Sequence, residues 1–346
     1  MLPVPFSFCF PKMKTGTRVA ESVMVESPSA PFHPPSMEVR NSSDVTEFIL
    51  MGLSHERGIQ LFLFALFLMF YLIVLPSNVL IIITIRGDAH LNCPMYFLLA
   101  NLAFLDIWYS SITAPKMLVD FFAERKVISF GGCIAQLFFL HFVGAAEMFL
   151  LTVMAYDRYV AICKPLYYSV QMSRRLCVVL VVASWVGGFI HSLIQVVLII
   201  RLPFCGPNEL DNYFCDITQV LRITCTDTFR EEMVMIFSSG LISVVCFVAL
   251  LVSYAFLLTV LKKNVGESAS KALSTCYSHI TIVIFMFGPA IYIYARPFDE
   301  YAPDKVVSVF HTIIFPLLNP IIYTLRNKEI TTAMKKMVLQ YLFCRK

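Results

Sequence analysis

Seven long apolar stretches constrain this chain more than any other feature of its sequence. Each runs for about 20 residues or more with few charges, which is the length of helix needed to cross about 30 Å of hydrocarbon. Helices are the expected form because a bilayer core offers no partner for open backbone groups. The seven stretches are Leu61–Ile85, Met95–Met117, Phe130–Ile162, Cys177–Ile200, Met233–Leu261, Cys276–Tyr294 and Val306–Leu325.

The composition favours an all-α membrane protein over a soluble domain. Only 14% of the 346 residues are charged, against about 25% in soluble globular proteins. A membrane β-barrel would show segments of about ten residues with alternating polarity, and these stretches do not alternate. We therefore predict a seven-transmembrane helix bundle over residues 60–325.

Basic residues set the predicted orientation of this bundle. The loops and tail on one side hold 13 Lys and Arg residues, and the opposite loops hold 7. Because Lys and Arg concentrate on the cytoplasmic side, residues 326–346 are predicted to be a cytoplasmic tail with a short amphipathic helix, and the N-terminus to lie outside. Residues 1–59 are predicted to be a disordered extracellular segment, in which residues 1–36 are interpreted as an upstream extension.

The predicted outer side carries cysteines and a glycosylation sequon. The cysteines are Cys133, Cys205, Cys215 and Cys225. This side faces an oxidising compartment, so pairing is expected. Four cysteines allow three connectivities, and the sequence alone does not choose among them. Asn41 begins an Asn-Ser-Ser sequon, a triplet that also occurs by chance.

Two acids lie deep inside the apolar stretches, where ionisable groups are costly and usually functional. Asp106 is midway along the second stretch and Glu147 midway along the third. The pair could hold a cation, or keep a proton because burial and a like charge disfavour ionisation, or simply bond neighbouring helices as protonated acids. A paired-carboxylate hydrolase is disfavoured, because water and a polar substrate would have to reach the bilayer centre.

Polar residues inside two of the stretches predict helix surfaces that face the interior of the bundle. Glu147 and Arg158 are 11 residues apart, about three helical turns, so they share one face, which must avoid lipid. Asp157 can hold Arg158 by charge, and charge compensation at a helix end is the simpler alternative. Asn319 and Pro320 interrupt the last stretch, where proline can kink a helix, although such prolines are also tolerated in membrane helices.

Four motifs occur in a fixed order along the chain. They are PMYFLLANLAFLD from Pro94, MAYDRYVAIC from Met154, KALSTCYSH from Lys271 and PLLNPIIYTLRNK from Pro316. Together they resemble the odorant receptor family of rhodopsin-like receptors. The resemblance implies a multi-pass plasma-membrane receptor, not an enzyme, that binds a small volatile ligand. It also implies coupling to a heterotrimeric stimulatory G protein that raises cyclic AMP.

The resemblance also implies roles for particular residues. It pairs Cys133 with Cys215, and it leaves Cys205 with Cys225. It assigns activation and G protein coupling to Asp157, Arg158, Tyr159, Tyr254, His279, Asn319, Pro320 and Tyr323.

By resemblance, the ligand pocket lies in the outer half, between the third, fifth, sixth and seventh helices. The local sequence agrees, because small residues leave room on the third helix and large apolar residues recur at i, i+4 and i+7 on the sixth. The predicted lining is Leu140, His141, Gly144, Ala145, Ser238, Ser239, Phe287, Ile291, Tyr294 and Thr312. Simple helix packing is the alternative for each residue. No acid lies on the helix-three patch, so small neutral volatiles are expected rather than charged amines.

The main rival from another class is a transporter or channel, which would need a transport path and often internal repeats. No repeat relates the two halves, and no metalloprotease, nucleophile-elbow or phosphate-loop motif supports an enzyme. Membrane lipid is an expected partner and nucleic acid is not. No cofactor, metal or catalytic residue is expected, apart from a cation at Asp106 and Glu147. A family member used outside the nose would have the same sequence features.

Overall fold

A computed structural model describes residues 45–204, 208–263, 267–296 and 303–343. Seven of its helices are long and apolar enough to cross a membrane, which confirms the predicted seven-helix architecture. They are α1 (Arg57–Gly87), α2 (Pro94–Asp120), α3 (Phe130–Cys163), α4 (Arg174–Ile199), α5 (Phe229–Lys262), α6 (Glu267–Tyr294) and α7 (Asp304–Ile322, with helix continuing to Arg326). A further helix, α8 (Lys328–Phe343), follows α7.

Local signals determine where several helices begin. α2 begins at Pro94, whose missing N–H costs little in a first turn. Ser129 and Ser173 cap α3 and α4, and their hydroxyl oxygens accept the backbone N–H groups of Gly132 (3.1 Å) and Leu176 (3.3 Å). Caps of this kind typically contribute about 1 kcal/mol each.

Several helices contain prolines or π-helical stretches that alter their regular backbone hydrogen bonding. Prolines lie inside four of them, at Pro76, Pro115, Pro289, Pro316 and Pro320. Each proline removes one backbone hydrogen bond. Stretches of π-helix occupy Ile236–Leu241 in α5 and Phe310–Ile314 in α7, and such stretches are frequent at functional sites. α6 and α7 therefore carry prolines, and α5 and α7 carry turns that differ from a regular α-helix.

α3 lies at the centre of the bundle, and α1 lies at its edge. α3 packs against α2, α4, α5 and α6. α1 instead exposes large apolar side chains, such as Phe62 (66% exposed) and Leu72 (61% exposed). A large exposed apolar surface is what a helix facing lipid requires.

Gly188 lets α4 approach the backbone of α3. A Cβ atom at this position would lie 2.6 Å from the carbonyl oxygen of Phe142 and 2.8 Å from the nitrogen of Ala146. Because backbone atoms yield less than flexible side chains, Gly188→Ala is expected to lower the free energy of unfolding by about 1–3 kcal/mol. Thermal unfolding of the purified protein measures this. The control is Gly288→Ala, where a Cβ meets open space, and an unchanged midpoint for Gly188→Ala would contradict the close contact.

A three-stranded sheet lies at one end of the bundle, which we call the sheet end; the other is the α8 end. Strand β1 (Glu47–Leu50) pairs antiparallel with β2 (Val127–Ser129) and parallel with β3 (Glu209–Leu210). The prediction that residues 1–59 are disordered is therefore wrong for Glu47–Leu50, which form β1.

The correction has a physical cause. Phe48 and Leu50 alternate onto one side of β1 and are 0% and 2% exposed, so the strand buries enough apolar surface to become ordered. Two alternating apolar residues are too short a pattern to recognise in the sequence. The sequon at Asn41 and residues 1–36 lie outside the described residues.

A disulfide joins Cys133, near the start of α3, to Cys215 in the loop between α4 and α5, as the resemblance implies. Both cysteines are fully buried in an apolar cluster that also contains Phe48. The bond therefore ties the α4–α5 loop, which we call the covering loop, to the helix bundle. The pair Cys205–Cys225 stays a prediction, because Cys205 lies outside the described residues.

α8 lies against the start of α2. The Tyr96 hydroxyl donates to the Glu329 carboxylate (2.5 Å). Ile330 is buried, while Lys335 and Lys336 are exposed. The helix therefore has an apolar side toward the bundle and a basic side away from it.

Candidate ligand pocket and intramembrane polar clusters

A cavity of ≈ 80 Å³ lies between α3, α5, α6 and α7, in the half of the bundle nearer the sheet end. Each of these helices supplies several side chains, and the covering loop adds Cys215 and Asp216. Gly144 and Ala145 leave the space on α3, while the Phe287 and Tyr294 rings form the α6 side. A largely apolar cavity with a few polar groups is typical of small-molecule sites.

Nine of the ten residues predicted for the pocket line this cavity: Leu140, His141, Gly144, Ala145, Ser238, Ser239, Phe287, Tyr294 and Thr312. Ile291 does not line it and instead packs, partly buried, against the main helix core. Ile293 lines the cavity in its place. Periodicity identifies one face of α6 but not where the neighbouring helices close against that face, so the prediction for Ile291 is corrected.

Most polar groups in the lining already have partners within the protein. The Gln195 side-chain amide donates to the hydroxyl oxygens of Ser238 (2.6 Å) and Ser239 (3.2 Å). The hydroxyls of Tyr213 and Thr312 share a hydrogen bond of 2.6 Å. These bonds connect α4 to α5 and the covering loop to α7, so they shape the cavity rather than offer free groups to a ligand.

Sequence reasoning missed three residues of the lining that carry an imidazole or carboxyl group: His191 on α4, His311 on α7 and Asp216 in the covering loop. Asp216 is 5% exposed, and burial raises the pKa of its carboxyl group. The expectation of neutral ligands considered the α3 patch alone, which carries no acid, and did not include Asp216 of the covering loop. The usable signal was the position of Asp216 directly after Cys215, because the disulfide brings this part of the loop over the bundle.

Asp106, Glu147 and Asn319 meet between α2, α3 and α7. The Asn319 side-chain amide donates to Asp106 Oδ1 (2.8 Å) and to Glu147 Oε1 (3.2 Å). All three residues are at most 1% exposed. Within the described parts of the chain, the second oxygen of each carboxyl group has no hydrogen-bond partner. The two predicted acids therefore share one amide donor.

The same cluster supplies two acidic side chains and one amide. Across the described ranges, no group of three or more His, Cys, Asp or Glu side chains is placed to hold a metal ion. Sequence reasoning identified Asp106 and Glu147 but did not place Asn319 between them. Asn319 is 213 residues from Asp106 along the chain, so no local pattern marks the contact.

Asp157 holds two side chains at the α8 end of α3. Arg158 donates through Nε to Asp157 Oδ2 (2.9 Å), and the Tyr168 hydroxyl donates to Asp157 Oδ1 (2.8 Å). The side chain of Asp157 is 1% exposed and that of Arg158 is 14% exposed. The ion pair is therefore sheltered from water. In such a buried position, a charge without a partner would be costly. Tyr168, in the short helix Tyr168–Gln171, was not among the predicted residues.

The other predicted activation residues lie on four helices, α3, α5, α6 and α7. Tyr254 of α5 and His279 of α6 are both 1% exposed, and their ring centroids are 6.1 Å apart. Tyr159 is partly buried against the main helix core, and Pro320 lies inside α7. The side chain of Tyr323 lies outside what the structure describes.

Seven helices long and apolar enough to cross a membrane, with a cavity between four of them, define a multi-pass membrane protein. A family model described as olfactory receptor matches residues 67–341. Mouse (Mus musculus) olfactory receptor 4M1 is 76% identical over 311 residues, which cover 89% of this chain and 99% of that receptor. The chain belongs to the olfactory receptor family.

Two human (Homo sapiens) relatives support the same assignment. Olfactory receptor 4M1 is 74% identical over 310 residues, covering 89% of this chain and 99% of that receptor. Olfactory receptor 4N5 is 57% identical over 308 residues, covering 89% and 100%. The chain is thus an odorant receptor of the G protein-coupled class, a multi-pass plasma-membrane protein and not an enzyme.

Proposed function

We propose that this receptor binds a small, mostly apolar odorant in the cavity between α3, α5, α6 and α7, and then activates a heterotrimeric stimulatory G protein that raises cyclic AMP. The cavity beneath the disulfide-bonded covering loop is the observation that carries this proposal. Three of its four helices carry a proline or a π-helical stretch. A ligand there contacts three helices whose backbone departs from a regular α-helix.

In the proposed orientation the sheet end faces outward and the α8 end faces the cytoplasm. The excess of Lys and Arg in the loops and tail at the α8 end supports this orientation. The disulfide at the sheet end also supports it, because disulfides persist in oxidising compartments. The exposed side chains of Lys262, Lys335 and Lys336 would then meet anionic headgroups of the inner leaflet and the G protein.

The proposed mechanism is a shift between two packings of the bundle. A ligand shifts this balance only if it binds the active packing better than the resting one. Glu147 lies one turn from the cavity residue Gly144, and Asn319 connects Glu147 to α7. We expect the change to reach Asp157 at the α8 end, where α6 moves outward and Arg158 is released to contact the G protein.

The Asp106–Glu147–Asn319 cluster is proposed to hold either a proton or a monovalent cation. The unpartnered carboxyl oxygens support a bound positive charge of one of these two kinds. If basal signalling changes with sodium concentration, the cluster holds a cation. If basal signalling does not change with sodium concentration, the cluster holds a proton.

A screen of volatile compounds in cells that carry an olfactory-type stimulatory G protein tests the proposed function. The measured response is the rise in cyclic AMP.

Tyr294→Ala is expected to raise the half-maximal concentration of an activating compound about tenfold or more, because the ring that forms part of the cavity wall is lost. The Tyr294 ring lies 5.6 Å from the His141 ring, centroid to centroid. The control is Tyr292→Ala, a tyrosine on the same helix that does not line the cavity. An unchanged dose–response curve at wild-type surface level would count against this pocket.

A further inference from the structure

Asp216 separates the main cavity from a second, polar one. The second cavity, of ≈ 10 Å³, lies toward the sheet end and is lined mostly by polar and charged side chains. Three residues line both cavities: Asp216, Ile293 and Ser308. Asp216 is therefore at the polar end of an otherwise largely apolar cavity.

One carboxyl oxygen of Asp216 is well bonded and the other is not. Asp216 Oδ2 accepts the Thr218 hydroxyl at 2.6 Å. Asp216 Oδ1 faces the Tyr294 hydroxyl at 3.4 Å, which is beyond the usual 2.5–3.0 Å for an O–H···O bond. Oδ1 thus keeps acceptor capacity beside the ring of Tyr294, a residue of the main cavity.

The two basic side chains in the described lining of the polar cavity form ion pairs with acids other than Asp216. Lys305 Nζ lies 2.5 Å from Asp211 Oδ1, and Arg296 pairs with Asp304. Asp216, at 5% exposure, is also shielded from water. A buried oxygen with spare acceptor capacity is a strong site for a hydrogen-bond donor.

His311 offers another unspent polar atom in the described lining. Its Nδ1 shares a 3.4 Å contact with the Tyr109 hydroxyl, and its Nε2 has no partner among the described residues. Like Asp216, His311 lines the main cavity. His311 Nε2 offers a second hydrogen-bonding contact to a ligand whose donor group reaches Asp216.

We infer that the cavity selects small, otherwise apolar molecules that carry one hydrogen-bond donor, a hydroxyl or an amine, and that Asp216 Oδ1 accepts this donor. This inference rests on the proposed function. A methyl ether or hydrocarbon of the same shape fills the apolar part equally well but brings no donor to Asp216. Leaving the buried carboxyl unpaired is expected to weaken such ligands about 10- to 100-fold.

Matched sets of compounds test the inference in the cyclic AMP assay. Each set offers an alcohol, a primary amine, a methyl ether and a hydrocarbon with the same number of heavy atoms, on linear, branched, cyclic and aromatic skeletons. One set is 1-hexanol, hexylamine, methyl pentyl ether and heptane. We expect alcohols or amines to activate at concentrations at least about tenfold lower than their ethers. Ethers or hydrocarbons of equal potency would overturn the inference and leave the proposed function standing. A surface-expressed receptor that responds to none of the compounds would contradict the proposed function itself.

The variant Asp216→Asn identifies the residue responsible. It retains the size of the side chain and an oxygen for Thr218, but it replaces the other oxygen with an amide nitrogen, which cannot accept a hydrogen bond from a ligand. The alcohol-to-ether potency ratio is expected to fall about tenfold. Asp227→Asn is the matched control, because Asp227 of the same loop is exposed and lines neither cavity, and it should keep the wild-type ratio. A ratio within one receptor does not depend on its surface level, so an unchanged ratio in Asp216→Asn overturns the assignment.

Discussion

Replacing Arg158 with alanine is expected to abolish ligand-evoked cyclic AMP, a loss of more than about 100-fold in signalling. In the proposed mechanism Arg158 is the group that leaves Asp157 and contacts the G protein. Its side chain is 14% exposed in the ion pair, so the resting packing withholds it. The measurement is ligand-evoked cyclic AMP, corrected for receptor at the cell surface.

Asp157→Asn is the matched variant for this test. Both substitutions break the ion pair that Asp157 and Arg158 form, but only Arg158→Ala removes the proposed signalling group. Asp157→Asn leaves Arg158 free, and it is expected to raise basal cyclic AMP. Normal signalling from Arg158→Ala, or an equal loss in both variants, would show that the pair is only structural.

Asn319→Leu is expected to remove most folded receptor from the cell surface. Asn319 is the amide donor that Asp106 and Glu147 share, and all three side chains are buried. Losing a hydrogen bond to a buried charged group costs about 1–3 kcal/mol or more for each partner. The sum is a large fraction of the roughly 5–15 kcal/mol that stabilises a typical protein.

Surface staining and thermal unfolding in detergent measure the effect of Asn319→Leu. The matched control is Asn101→Leu, since the Asn101 amide bonds to the Phe97 carbonyl within its own helix (2.8 Å) and the residue is half-buried. Asn101→Leu is expected to stay close to wild type. Wild-type expression of Asn319→Leu would show that the two acids do not depend on the shared amide.

The helices were predictable because membrane thickness and backbone hydrogen bonding leave few alternatives to long apolar helices. The pocket was largely predictable because the resemblance places it between these four helices and the local sequence agrees with that placement. Inward faces repeat every 3.6 residues, and Gly144 and Ala145 leave space on the central helix. Such reasoning fixes a face of a helix but not the depth at which neighbours close against it. This is why Ile291 was placed in the cavity and Ile293 was missed.

Contacts between distant segments were not predictable from one sequence. β1 is ordered because its Phe48 and Leu50 are buried beside the disulfide, and its partners lie about 80 and 160 residues further along the chain. Asp216 reaches the cavity only because the covering loop is tied down at Cys215. Tyr168 reaches Asp157 from a short helix after α3. None of these contacts leaves a periodic signal.

Filling the cavity is the most direct test that ligand acts there. Ala145→Trp places an indole among the lining residues, and we expect it to abolish the response to every activating compound while surface expression stays near wild type. Ala183→Trp, on an exposed face of α4, is the control and should respond normally. An undiminished response from a surface-expressed Ala145→Trp receptor would contradict ligand binding in this cavity.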